Sequence, residues 1–154
     1  MNIQPGDILL TRNAGDERSN QTPGYFNHAA IYAGDQIVIE AQMYVKDGKC
    51  SDDPQFPGAI IKSDFKEFWD RYPIIRVLRL PIGSLHVLEA ELMVGLPYRR
   101  ISSFFRRQRP DRRGMNCVSV VRRAVMRVTG EDPGWRIPDD INNFKDIKIV
   151  TEKV

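Results

Sequence analysis

The sequence predicts an α+β protein with a largely antiparallel sheet. Strand-like runs dominate the first half and are separated by short turns, whereas the strongest helical pattern comes late. Strands joined by hairpins pair antiparallel, and segregation of strands from helices is typical of this class. The chain has 154 residues, 42% hydrophobic and 28% charged, which excludes a disordered chain or a coiled coil. We therefore expect one domain over residues 1–154.

Short apolar runs bounded by turn residues predict the strands. Six runs have this pattern: residues 6–11, 27–33, 36–41, 59–62, 74–80 and 147–150. The second and third flank Gly34-Asp35, a turn signal, and predict a hairpin. Residues 12–27 and 42–58 have loop composition.

Two shorter helices are predicted from capping signals. Asp64 and Glu67 have the spacing of a capping box, which predicts a helix over residues 65–71. Ser84 is expected to cap a helix through residue 94, with Leu85, Leu88 and Leu92 on one stripe.

The clearest helix begins near Cys117. Valines at positions 118, 121, 125 and 128 recur at helical spacing, and arginines occupy the other side. Asn116 is a good N-cap and Gly130 a good residue to end the helix. Cys117 thus falls at the first helical position, where free backbone N–H groups and the helix dipole stabilise a thiolate. The alternative interpretation of a cysteine on an apolar stripe is a small buried hydrophobic residue.

A catalytic cysteine needs a base, and the chain has two histidines. His86 falls in the first turn of the second predicted helix, so we expect it on the surface or as a cap. His28 begins a strand and shares the predicted hairpin with Glu40. A turn centred on Gly34 places them directly opposite, close enough for an imidazole N–H to bond the carboxylate. A two-residue turn at Gly34-Asp35 puts Glu40 on the wrong face, and both registers stay open.

The second cysteine, Cys50, lies in an acidic loop over residues 47–53, where the thiol pKa is expected to rise. We interpret it as incidental. The cysteines and histidines show no paired ligand spacing, so no metal site and no cofactor are predicted.

Four stretches, taken in order, resemble the permuted branch of the NlpC-type papain-like superfamily: Gly6-Asp7-Ile8-Leu9, residues 27–35 with Glu40, Gly95-Leu96-Pro97-Tyr98, and Asn116-Cys117 at a helix start. That branch holds the YiiX/YaeF-like hydrolases and the lecithin:retinol acyltransferase-like enzymes. The resemblance covers residues 5–130. It implies a circularly permuted papain-like fold, in which a helix carrying the cysteine at its N-terminus packs against the sheet.

The resemblance also implies roles for individual residues. Cys117 matches the nucleophile, His28 the base and Glu40 the polar third member, and Tyr98 matches a tyrosine near the site in relatives. Two positions depart from the pattern: an alanine follows His28 where the acyltransferases commonly have tryptophan, and Val118-Ser119 replaces a polar pair after the cysteine. These departures bear on the substrate more than on the triad.

The net charge of +3 conceals a strongly basic segment. Residues 99–127 hold ten arginines and one aspartate, a net +9, and the remaining residues carry −6. Guanidinium groups bind phosphate and carboxylate with fixed geometry, which indicates an anionic substrate. A solvated loop is the alternative interpretation. The predicted substrate-binding residues are Tyr98, Arg99, Arg106 and Arg107.

These features predict a cysteine peptidase-like or amidase-like hydrolase that cleaves an amide or ester bond through a thioester on Cys117. The expected partner is an anionic small molecule, peptide or lipid, such as cell-wall peptide. One alternative is a lipid acyltransferase or phospholipase-like enzyme with peripheral membrane contact. Another is a non-catalytic, arginine-rich nucleic-acid-binding module, which is disfavoured because it leaves the triad unexplained. Without a signal peptide or an apolar span of roughly 20 residues, we expect the cytoplasm by default.

Overall fold

The computed structural model describes residues 1–13, 24–98 and 116–154. The strands in these ranges are β1 Ile8–Arg12, β2 His28–Gly34, β3 Ile37–Gln42, β4 Val45–Lys46, β5 Lys49–Cys50, β6 Ala59–Asp64, β7 Ile74–Arg79 and β8 Lys148–Lys153. The helices are α1 Phe65–Arg71, α2 His86–Glu91, α3 Cys117–Thr129 and α4 Pro138–Asn142.

Six strands form one sheet in the order β6-β3-β2-β1-β7-β8, and every neighbouring pair is antiparallel. The short strands β4 and β5 make a separate hairpin. The predicted α+β class with a large antiparallel sheet is confirmed.

Both faces of the sheet are covered. Because successive side chains of a strand point to opposite faces, Ile8 and Leu10 of β1 join the cluster with α2 and α3, whereas Leu9 joins the cluster with α1. Phe68 of α1 is fully buried in the second cluster. The central strand is therefore apolar at successive positions rather than alternating.

The hairpin of β2 and β3 adopts neither of the two predicted registers. Its turn residues are Asp35 and Gln36, both with positive φ (49° and 62°), one position later than predicted. A bulge between Tyr32 and Gly34 then absorbs one residue of β2.

This register sets the relation of His28 to Glu40. Ala30 lies opposite Glu40, so His28 is a diagonal neighbour on the same face rather than directly opposed. Relative to a register in which His28 and Glu40 are directly opposed, the turn and the bulge together shift the pairing of β2 with β3 by an even number of positions. An even shift keeps both side chains on the same face of the sheet.

Helix α1 has the predicted bounds, and the Asp64 carboxylate accepts the Glu67 N–H at 2.9 Å. Helix α2 is shorter than predicted. A different face of the helix packs against the core than the apolar stripe predicts, since Leu85, Leu88 and Leu92 are exposed. Its buried face carries Val87, Ala90 and His86, and the last is fully buried. The expectation that His86 lies at the surface is wrong.

Across the described parts of the chain, no helix combines the length and apolar character needed to cross a bilayer.

Candidate active site

Cys117 is the first residue of α3 and belongs to the hydrophobic core cluster that includes α2 and α3. Only 5% of its surface is exposed. The preceding Asn116 caps the helix: its Oδ1 accepts the Ser119 N–H at 2.9 Å, and its carbonyl accepts the Val120 N–H at 3.3 Å. The N–H groups of Cys117 and Val118 come before the first intrahelical bond, so they have no acceptor within the helix. They are available to an anion beside the thiol.

The loop that leads into β2 is held by α4. The carboxylate of Asp139 accepts the backbone N–H groups of Tyr25 and Phe26, each at 2.8 Å. The N–H of Asn27 donates to the carbonyl of Thr11 at 3.0 Å. These bonds fix the backbone immediately before His28.

The side chains of His28 and Glu40 form a hydrogen bond, with Nε2 2.9 Å from Oε2. A carboxylate can only accept, so Nε2 carries the hydrogen. Nδ1 is therefore the nitrogen that remains for Cys117.

Glu40 is fully buried and accepts four hydrogen bonds, two on each oxygen. Oε2 accepts from His28 and, at 2.7 Å, from Gln42 Nε2. Oε1 accepts from Ser63 Oγ at 2.6 Å and from Arg71 Nη1 at 2.9 Å. Burial alone would raise the pKa of this carboxyl, but the hydrogen bond and charge of His28, the charge of Arg71 and the hydrogen bond from Ser63 lower it to about 2.

His28 is 12% exposed and packs against aromatic rings of α1. Its ring centroid lies 5.7 Å from that of Tyr72 and 6.2 Å from that of Phe68. Burial would lower its pKa, but the Tyr72 oxygen and the hydrogen bonds with Cys117 and Glu40 together hold that pKa well above its usual value. The surroundings thus favour an imidazolium beside the thiol.

Tyr98 also lies close to Cys117. Residues 96–98 run along the edge of β6, where the Tyr98 N–H donates to the Gly58 carbonyl at 3.0 Å. The contact needs glycine, because a Cβ at position 58 would lie 2.3 Å from the Gln42 carbonyl oxygen. Burial, with the nearby charge of Cys117, raises the pKa of the Tyr98 phenol, which stays protonated at neutral pH.

The structure brings four of the predicted site residues together: Cys117, His28, Glu40 and Tyr98. The other three, Arg99, Arg106 and Arg107, lie outside the described residues. The pKa of Cys50 is raised, as expected, although burial is the largest cause and nearby carboxylates add to it.

Sequence reasoning missed the residues around Glu40. Gln42 follows two positions later on β3, Ser63 lies on the neighbouring strand β6, and Arg71 ends α1. One signal was present: a glutamate within the apolar run of β3 needs a buried cation or several donors. The sequence offers no spacing rule that identifies Arg71 as that cation.

A metal centre does not fit these residues. The described ranges contain no group of three or more histidine, cysteine, aspartate or glutamate side chains placed to hold an ion. The two oxygens of Glu40 offer about four lone-pair positions, and four donors already use them.

The comparisons with known proteins give one similar structure. The fold matches the crystal structure of the metalloprotein yiiX from Escherichia coli O157:H7 with a TM-score of 0.63, over 96% of each chain and at 12% identity. The protein therefore has a YiiX-like fold. No family model matches the sequence, and no curated protein matches it either.

Proposed function

We propose that this protein is a cysteine-dependent hydrolase of an amide or ester bond, built on a permuted papain-like fold. Cys117 is the nucleophile, His28 the general base and Glu40 the residue that orients His28. The observation that carries the proposal is the double contact of His28, with Cys117 on one side and with the fully buried Glu40 on the other. A nucleophile beside a base that a third group orients is the arrangement that acyl transfer needs.

The reaction follows from these positions. His28 Nδ1 holds the proton of the Cys117 thiol, and the thiolate attacks the acyl carbon. The carbonyl oxygen becomes an oxyanion, which the N–H groups of Cys117 and Val118 stabilise. As the bond to the leaving amine or alcohol breaks, His28 returns its proton to that group, and a thioester remains. Water, deprotonated by His28, then attacks the thioester, and the acid and the free thiol are released.

The solved protein of similar fold is named a metalloprotein. The donors around Glu40 leave that carboxylate no free lone pair for an ion, so no step of the proposed reaction passes through a metal. The chemistry belongs to the side chains of this chain.

The substrate we propose is anionic, such as a cell-wall peptide or a lipid with a charged head group. The arginines that follow Tyr98 support this choice, because the segment from 99 to 113 contains seven of them. Arg99, Arg106 and Arg107 are the proposed contacts to the substrate's charge, and Tyr98 contributes a protonated phenol next to the nucleophile.

Alkylation by iodoacetamide, read by mass spectrometry at each cysteine, tests the proposal. At pH 7 we expect Cys117 to react faster than Cys50 and expect His28→Ala to slow Cys117 by tenfold or more. Cys50→Ser is the matched control and should leave the rate at Cys117 unchanged. Equal labelling of both cysteines in the folded protein, or no effect of His28→Ala, would contradict the proposal.

Three exposed leucines, one in α2 and two that flank it, favour a second candidate, acyl transfer or lipid cleavage at a membrane surface. Leu85, Leu88 and Leu92 lie on one helical face and are 65%, 70% and 79% exposed. Leucines on a helix exposed to this extent suit insertion into a lipid interface, and arginines attract anionic head groups.

Vesicle flotation distinguishes this candidate from the first. It predicts binding to vesicles that contain anionic lipid, and loss of binding when Leu88→Ser or a joint change of Arg106 and Arg107 to alanine is made. Failure of the unaltered protein to float with such vesicles would eliminate it and leave the hydrolase proposal intact.

A further inference from the structure

The buried carboxylate of Glu40 is shared between two cations. Oε2 accepts from His28 Nε2 and Oε1 accepts from Arg71 Nη1, each at 2.9 Å. Ser63 and Gln42 add one neutral donor to each oxygen. The reaction proposed above assigns no step to Arg71, although the guanidinium forms an ion pair with the residue that orients the base.

The position of Arg71 is fixed by its own helix. It is the last residue of α1, and its guanidinium carbon lies 5.9 Å from the ring centre of Phe68 and 5.6 Å from that of Tyr72. Lys153 holds the end of this helix from β8, since its Nζ donates to the Tyr72 carbonyl at 2.9 Å. The side chain of Arg71 is 26% exposed, so its charge acts mainly on the buried carboxylate.

We propose that Arg71 is a positioning residue: it draws part of the charge of Glu40 away from His28 and so limits how tightly the imidazole holds its proton. The inference rests on the proposed function, because it concerns a base that must both take and return a proton. Arg71 acts through Glu40 and needs no contact with substrate.

A balance of this kind matters for catalysis. A buried carboxylate that bonds an imidazole alone strongly favours the imidazolium, and an imidazolium that keeps its proton is a poor acid toward the leaving group. A second cation on the carboxylate weakens that attraction. Charges of alternating sign then follow one another from the thiolate through the imidazolium and the carboxylate to the guanidinium, and they sum to zero.

Among the described residues, the other titratable groups that face His28 and Glu40 together with Arg71 come from three elements. Cys117 approaches from α3, Tyr72 from the end of α1, and Cys50 from the β4–β5 hairpin. None of these three groups can carry a positive charge, whereas Arg71 keeps its charge throughout the accessible pH range. Removal of the Arg71 charge therefore raises the pKa of His28.

The test is an NMR titration of the imidazole protons, which is simple because the chain has two histidines. His28→Ala assigns the resonances, and the fully buried His86 reports whether each variant is folded. Three substitutions separate charge from hydrogen bonding: Arg71→Met removes both, Arg71→Gln keeps a donor without charge, and Arg71→Lys keeps the charge. Lys66→Met is the matched control, because it removes an exposed cation from the same helix.

We expect Arg71→Met and Arg71→Gln to raise the pKa of His28 by about one unit, and Arg71→Lys to leave it near the value of the unaltered protein. The alkaline limb of Cys117 alkylation should move in the same direction, and Lys66→Met should move neither. If Arg71→Met does not fold, Arg71→Gln carries the test, since it still supplies a donor to Oε1.

An unchanged or lowered pKa of His28 in the Arg71→Met and Arg71→Gln variants would overturn the inference. This result differs from failure of the proposed function, which is a Cys117 alkylation rate that does not depend on His28. The imidazole titration does not use Cys117 reactivity, so the two outcomes are read separately.

Discussion

Replacing Glu40 by glutamine should make the protein less stable at neutral pH and less sensitive to acid. The carboxylate is fully buried and accepts bonds from His28, Gln42, Ser63 and Arg71. Glutamine keeps the size of the side chain but offers one oxygen and no charge, so the ion pairs with the two cations are lost.

The size of the effect follows from the pKa. The carboxyl falls from a usual 4.5 to about 2 in the folded protein. Each pH unit of difference corresponds to about 1.4 kcal/mol, so Glu40 contributes about 3 kcal/mol to the free energy of unfolding. A lowered pKa means that this contribution is present above pH ~4.5 and is lost as the pH falls toward about 2.

Urea unfolding followed by circular dichroism, repeated at intervals from pH 7 to pH 2.5, measures both quantities. Glu40→Gln should be less stable than the parent by about 3 kcal/mol at pH 7, and the two curves should converge on acidification. Glu67→Gln is the control, because that carboxylate is 58% exposed and 3.7 Å from its lysine partner. Curves for the parent and Glu40→Gln that stay parallel over this range would refute the reasoning.

Three further predictions concern other parts of the structure. Burial lowers the pKa of His86, so the stability due to this residue is present above pH ~6.5 and is lost as the pH falls below that value. In urea unfolding, the free energy of unfolding of His86→Gln should therefore fall less between pH 7 and pH 5 than that of the unaltered protein. An equal fall in the two proteins would contradict this. Phe68→Ala should reduce the free energy of unfolding by about 3–5 kcal/mol in the same assay, and a loss below about 1 kcal/mol would be inconsistent with its full burial. Asn116→Ala should cost about 1 kcal/mol and slow alkylation of Cys117, whereas Asn116→Ser, which can still cap, should retain the rate; equal rates in both variants would exclude a role for the cap.

Local signals predicted helices α1 and α3 best, whereas α4 was not predicted. The capping box of α1 and the N-cap and terminal glycine of α3 act within a few residues, so they are readable without knowledge of the rest of the fold. For helix α2, such local signals did not identify the face that is buried. Leu85, Leu88 and Leu92 form a regular apolar stripe, yet the face with the smaller residues Val87 and Ala90 is the one that packs, because small side chains let α2 and α3 approach closely.

The candidate site was predictable in its chemistry but not in its surroundings. The residue types and strand positions of His28 and Glu40 indicated a hydrogen bond between the two side chains. Whether both side chains lie on the same face of the sheet depended on the register of β2 and β3, which a bulge before Gly34 altered. Bulges carry little sequence signal beyond a glycine. Arg71 reaches Glu40 because α1 packs on the sheet above β3, a tertiary relation that no local pattern encodes.

The parts of this site come from β2, β3, α1 and α3, and the last of these begins 75 residues after β3 ends. Contacts between segments so far apart in the chain form slowly, since a long loop must close before they stabilise anything. During refolding, the neighbouring strands β2, β3 and β6, which are close in the chain, can therefore pair before α3 docks. The moment at which Cys117 acquires its histidine partner would then mark the docking of α3, which makes thiol reactivity a kinetic reporter of that step of folding.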